Sequence, residues 1–110
     1  MALALNRFKT YTKELTTSSA TIYTAPTGYT GIISYAHITN YAATATTLTM
    51  SLVRSSTTTQ IISGAEVPVN DAYIPLDGKL VLETSDYIVA QAGANSKLKI
   101  LVSVLETANA

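Results

Sequence analysis

Apolar and polar residues alternate with a period of two along most of this chain. That pattern belongs to strands with one buried face. It is cleanest in Thr46–Arg54, where Leu48, Met50 and Leu52 point one way and Thr47, Thr49 and Ser51 the other. In residues 30–41 the alternation predicts Ile32, Ala36 and Ile38 on one face, with Ile33, Tyr35, His37 and Tyr41 opposite. Tyr87–Ala92 aligns Ile88, Ala90 and Ala92. Residues 97–106 align Leu98, Ile100, Val102 and Val104.

Shorter extended stretches are expected at Ala20–Thr24, 58–63 and 79–83. Pro68 and Pro75 flank residues 69–74 and place that segment at a sheet edge, because proline cannot donate to a ladder. Gly64 with Ala65-Glu66, Asp77-Gly78, Thr84-Ser85-Asp86 and residues 93–96 read as turns. The runs 16–19 and 55–59 read as surface loops or exposed strand ends. No helical spacing competes. The chain is therefore expected to be all-β: a single-domain β-sandwich, jelly-roll-like, of about eight antiparallel strands.

Residues 20–110 form the expected sandwich, and residues 1–19 are an N-terminal arm or its first strand. As an arm, the segment would bury Leu3, Leu5, Phe8 and Tyr11 on a neighbouring subunit, with Arg7 and Lys9 at the rim.

Composition adjusts this picture. A chain of 110 residues is one domain and can bury a core without staples. It has no cysteine and a single histidine, which excludes thiolate and multi-histidine metal sites within one chain. Seven basic residues balance seven acidic ones and are scattered, which argues against nucleic acid as a partner. No apolar run reaches the length of a membrane span and no signal peptide is visible, so synthesis and folding in a cytoplasm are expected. Charged residues are only 13%. Threonine and serine take their place, and a surface so weakly charged does little to repel a neighbouring sheet edge.

The residues offer little chemistry. His37 is the one imidazole base, and it lies in a strand beside Ile33 and Tyr35, where a packing role is the simpler account. Asp71, Asp77 and Asp86 fall at turns, which aspartate caps with its own side chain. There is no Gly-x-Ser-x-Gly elbow and no phosphate loop. No catalytic residue and no cofactor are expected. Tyr29, Tyr35 and Tyr41 are the aromatic candidates, either for a subunit interface, where tyrosine is enriched, or for stacking on a host-surface glycan.

The segment Ile22-Tyr23-Thr24-Ala25-Pro26-Thr27-Gly28, followed by Gly31-Ile32-Ile33 and Ile38-Thr39-Asn40, resembles small virion proteins of tailed phages. Asn70-Asp71, Leu80-Val81-Leu82-Glu83, Asp86 and residues 101–106 continue the likeness, which is strongest to proteins of phages infecting cyanobacteria. The resemblance implies a non-enzymatic β-sandwich on the virion, assembled in the host cytoplasm. It implies a capsid decoration (cement) protein, or else a tail, neck or fibre component. Its partners would be copies of itself, as a trimer or ring, and other virion proteins such as the major capsid protein.

Overall fold

The computed structural model describes residues 6–76 and 78–109. They form nine strands: β1 (Asn6–Glu14), β2 (Ala20–Thr24), β3 (Tyr29–Asn40), β4 (Thr46–Arg54), β5 (Thr57–Val67), β6 (Ala72–Tyr73), β7 (Leu80–Leu82), β8 (Tyr87–Ala92) and β9 (Leu98–Ala108). One sheet, here the front sheet, runs β1-β9-β3-β6, with β7 also paired to β3. The back sheet runs β2-β8-β4-β5. All pairings are antiparallel. The order is that of a jelly roll, in which the chain crosses repeatedly between two packed sheets, with β4–β5 the hairpin that stays within one of them.

The core forms where the inward residues of the two sheets meet. Ile33, Ile38, Leu82, Leu98, Ile100 and Val102 come from the front sheet; Leu48, Met50 and Ile88 come from the back, all essentially inaccessible. Each such side chain contributes on the order of 1.5–3 kcal/mol by leaving water. Leu15, just past β1, plugs one end of the core, and its amide donates to the Leu98 carbonyl at 2.9 Å.

Three local features differ from the alternation pattern. In β3 the pairing with β9 shifts between Ile33 and Tyr35. Such a bulge reverses the inside–outside phase of the strand. Ile33, Ala36 and Ile38 therefore all point inward, while Ile32, Tyr35 and His37 face out. Gly64 does not turn the chain. It sits within β5 at φ 64°, where the register shifts against β4 between Leu48 and Met50, and β5 continues to Val67. Ser55 and Ser56 both have positive φ between the paired residues Arg54 and Thr57. They make the two-residue turn whose twist suits a hairpin, a place more often filled by Asn-Gly.

Strands β2, β4 and β8 take the bounds their patterns predict, and the segment between the two prolines supplies only the short edge strand β6. The expected Asp77-Gly78 turn includes Asp77, which lies outside the described residues.

Candidate interaction surfaces

Strand order decides which backbone edges are left open. Strands β1 and β2 pack against each other on one flank, which places β5 on the other flank with β6 and β7. Each flank thus has one long edge and one short or broken edge, and the long edges belong to different sheets. Strands β6 and β7 span two and three residues. Strand β2 spans five and carries a register shift. Strand β1 spans nine residues, with the exposed Lys9 and Lys13 in the phase that points inward; inward-pointing lysine on an edge discourages pairing with a like edge. Strand β5 is the edge least guarded by charge: eleven residues with Glu66 the one charge, and a stretch from Thr57 to Gln60 that runs in regular register before the bulges near Ile61 and Gly64.

The outer face of the front sheet carries an apolar row. Register places Phe8 opposite Leu105, Leu105 opposite Ile32, and Ile32 opposite Val81, so four strands contribute one side chain each. Phe8 is 83% exposed. Tyr35 lies in the next row beside His37, their rings stacked at 5.9 Å. The His37 Nδ1 is 3.4 Å from Thr39 Oγ1. No carboxylate orients this imidazole among the described residues.

Of the four residues grouped from sequence as an anchor, the two that are described face opposite sides of the sheet. Leu3 and Leu5 lie outside the described residues. Phe8 joins the outer row. Tyr11 turns inward, half-buried, with its ring 5.2 Å from that of Tyr23. Residues 6–14 pair with β9 of the same chain along their whole length.

The three grouped tyrosines also separate, spread along twelve residues of β3 and the residue after it. Each is about 20 Å from the next at ~3.3 Å per residue. Tyr29 is buried beneath the Arg7 guanidinium, 3.9 Å from its ring centre. Tyr35 faces out at mid-strand. Tyr41 is half-exposed at the far end, with Lys99 Nζ 4.8 Å above its ring. They form no common patch.

Arg7 belongs to a buried cluster that sequence spacing gave no way to find. Glu106, on the inward face of β9, is 1% exposed. Its Oε2 accepts from the Tyr23 hydroxyl at 2.6 Å, and its Oε1 lies 2.6 Å from Arg7 Nη2. Arg7 Nε finds no partner, so this contact is ionic rather than a well-directed hydrogen bond. Burial, and then the hydrogen bond to Glu106, push the Tyr23 phenol well above its ordinary range and keep it a donor. The cluster joins β1, β2 and β9, and so ties the two sheets together at one end. A second ion pair ties β4 to the turn before β8: Asp86 Oδ2 accepts from Arg54 Nε at 2.8 Å and Nη2 at 2.6 Å, and from the Glu83 amide at 2.9 Å.

The outer face of the back sheet is hollowed into a groove of about 540 Å³. Its floor is made by three cross-strand pairs of β4 and β8: Thr49 with Gln91, Ser51 with Val89, and Val53 with Tyr87. The β5 residues Thr58 and Gln60, paired with Val53 and Ser51, form one wall. Ser51 and Val53 point away from the core yet are only 5% and 7% exposed, because they lie low between the flanking side chains of β5 and β8. Every lining side chain is uncharged.

Among the described residues, no group of three His, Asp or Glu side chains is placed to hold a metal ion, and no helix is long and apolar enough to cross a membrane.

No family model matches the sequence, and no curated protein matches it. Among solved structures, the fold is similar to that of a chain from Bacillus endospore appendages, described as a novel family of disulfide-linked pili. The TM-score is 0.59 at 9% identity, over 100% of this chain and 97% of that one. Identity that low shows a shared fold. A chain of infectious bursal disease virus, Gt strain, aligns at TM-score 0.38 and 11% identity over 96% of this chain and 38% of that one, too distant to bear on the argument.

Proposed function

We propose that this chain is a non-enzymatic structural subunit that joins copies of itself edge to edge on a phage particle, as a capsid decoration protein. The observation that carries the reading is the long β5 edge with its single charge, set on the flank and sheet opposite to β1. Lysines on β1 oppose β1–β1 pairing, whereas β5 offers Glu66 and no basic residue. Pairing β1 of one copy with β5 of the next is head-to-tail, and contacts of that kind close into rings, three-fold rings included, or propagate as filaments. The apolar row through Phe8 would give such an assembly a face to set on a capsid. The virion resemblance supports decoration, and a single compact domain without repeats suits a surface ornament better than a fibre shaft.

A filament subunit is the second reading, favoured by the fold shared with a pilus protein. Disulfide linkage is closed to this chain, which has no cysteine.

Light scattering of the purified chain across a concentration range tests the proposal. We expect a defined oligomer that Thr59→Lys, on the β5 edge, dissociates without lowering the melting temperature. A trimer points to capsid three-fold positions, a larger ring to the neck or tail, and an open polymer to the filament reading. A strict monomer up to millimolar concentration, or an oligomer indifferent to Thr59→Lys, overturns edge-to-edge assembly.

A further inference from the structure

The groove on the outer face of the back sheet lies apart from the apolar row and shares only its wall, Thr58 and Gln60, with the β5 edge strand. Its volume lies within the range of small-ligand sites, about 300–1,000 Å³. From Tyr87 to Gln91 it runs about 13 Å along the strands at ~3.3 Å per residue.

Its chemistry narrows the ligand. The lining carries no charge, so nothing there would hold a phosphate, a carboxylate or a cation. Arg54 stands near the Tyr87 end, but its guanidinium is engaged by Asp86 and Glu83. The polar groups are hydroxyls and carboxamides, which both donate and accept hydrogen bonds. Two of them have structural work: Thr49 Oγ1 accepts from the Gly64 amide, and Gln91 Nε2 donates to the Thr17 carbonyl. Ser51 on the floor and Thr58 and Gln60 on the wall have no side-chain hydrogen-bond partner among the described residues. Apolar contact is limited to Val53, Val89 and the ring of Tyr87, too little for a lipid. A peptide would find no free backbone on the floor, because β4 and β8 are paired with each other there.

We propose that this groove binds a neutral oligosaccharide. Its hydroxyls would meet Ser51, Gln60 and the free oxygen of Gln91, and one sugar face would lie on Tyr87. Neutral sugars need this combination of two-way hydrogen bonding and a short apolar step, with aromatic contact supplying part of the affinity. The site is distinct from the three tyrosines of β3 and its end.

The test is a ¹H–¹⁵N NMR titration of the full chain with maltohexaose, cellohexaose, chitohexaose and mannohexaose in turn. A hyaluronan hexasaccharide and a capped neutral peptide serve as controls. We expect at least one neutral sugar to shift amides of β4, β5 and β8 on the groove side. Tyr87→Ala should weaken that binding about tenfold. Gln60→Ala, at an exposed wall position, should weaken it several-fold with the melting temperature unchanged, which guards against loss of fold in the first variant. Tyr35→Ala and Tyr41→Ala should leave it intact. No shift with any neutral sugar at millimolar concentration overturns the proposal. So do shifts centred on Tyr35 or Tyr41, or groove shifts produced by the peptide alone.

Discussion

Replacing Glu106 by alanine removes the carboxylate that Tyr23 and Arg7 share inside the sandwich. It strands two groups of different kinds. The Tyr23 hydroxyl, in a residue 3% exposed, loses its acceptor, and an unsatisfied buried hydroxyl costs about 1–3 kcal/mol. Arg7 loses its counter-charge, and breaking a fully buried pair costs about 3–5 kcal/mol. The Arg7 side chain keeps 34% of its exposure, so water recovers most of that penalty and about 1 kcal/mol of it remains. The expected loss is about 3 kcal/mol, a large fraction of the ~5–15 kcal/mol that holds a small domain together. At ~4–8 °C per kcal/mol, the melting temperature should fall by roughly 12–24 °C.

Urea denaturation followed by far-ultraviolet circular dichroism measures this directly, with matched slopes confirming that the unfolded states are comparable. Glu106→Gln keeps an acceptor for Tyr23 and the side-chain volume, so it should cost less than Glu106→Ala. Arg7→Met combined with Glu106→Met removes both charges and should recover stability relative to Glu106→Ala, because an apolar pair carries no desolvation debt. A loss under about 1 kcal/mol for Glu106→Ala would refute the reasoning that one buried carboxylate satisfies both partners. A double variant weaker than Glu106→Ala would refute the charge argument.

Gly31→Ala would set a methyl group 2.6 Å from the Tyr23 hydroxyl oxygen and 2.8 Å from its Cε2, and should cost about 1–3 kcal/mol by overpacking. Because Gly31→Ala and Glu106→Ala both unseat the same hydroxyl, their combined cost should fall short of the sum by at least ~0.5 kcal/mol in a denaturation cycle, and strict additivity would count against the cluster. Hydrogen bonds from Arg54, partly opposed by burial, hold the Asp86 carboxyl below the ordinary range. Its folded pKa lies below the unfolded value of about 3.9, so the stability it supplies is complete above about pH 4 and is lost as pH falls through the folded value. Denaturation curves of wild type and Asp86→Asn should therefore differ at neutral pH and converge in acid; a constant gap down to about pH 2 would remove this account.

The sheet faces were legible in the sequence wherever a strand runs without interruption. Strands β4 and β8 show this: burying one face of a pleated strand leaves a period of two that any reader of the chain can see. The two prolines marked an edge for the equally local reason that they lack a donor. Legibility failed where one residue changes phase or turn geometry. The irregularity beside Ser34 turns Ile33 inward together with Ala36 and Ile38, and the alternation alone assigned Ile33 to the other face. Gly64 is a bulge and Ser55-Ser56 a tight turn, because pairing with β4 holds both in place.

What the sequence determined by itself is the class: a neutral, threonine-rich, all-β domain with patterned strands and no motif for chemistry. What only the tertiary structure decided is which strands are neighbours. The Tyr23–Glu106 bond spans 83 positions in the chain. The groove takes its floor and wall from β8, β4 and β5, and the open edges of β1 and β5 fall on opposite flanks because the strands cross between sheets. Alternation records whether a side chain is inside or outside, since burial acts on each residue in place. It carries no record of partners, since the apolar faces of many strands are interchangeable until packing selects one arrangement.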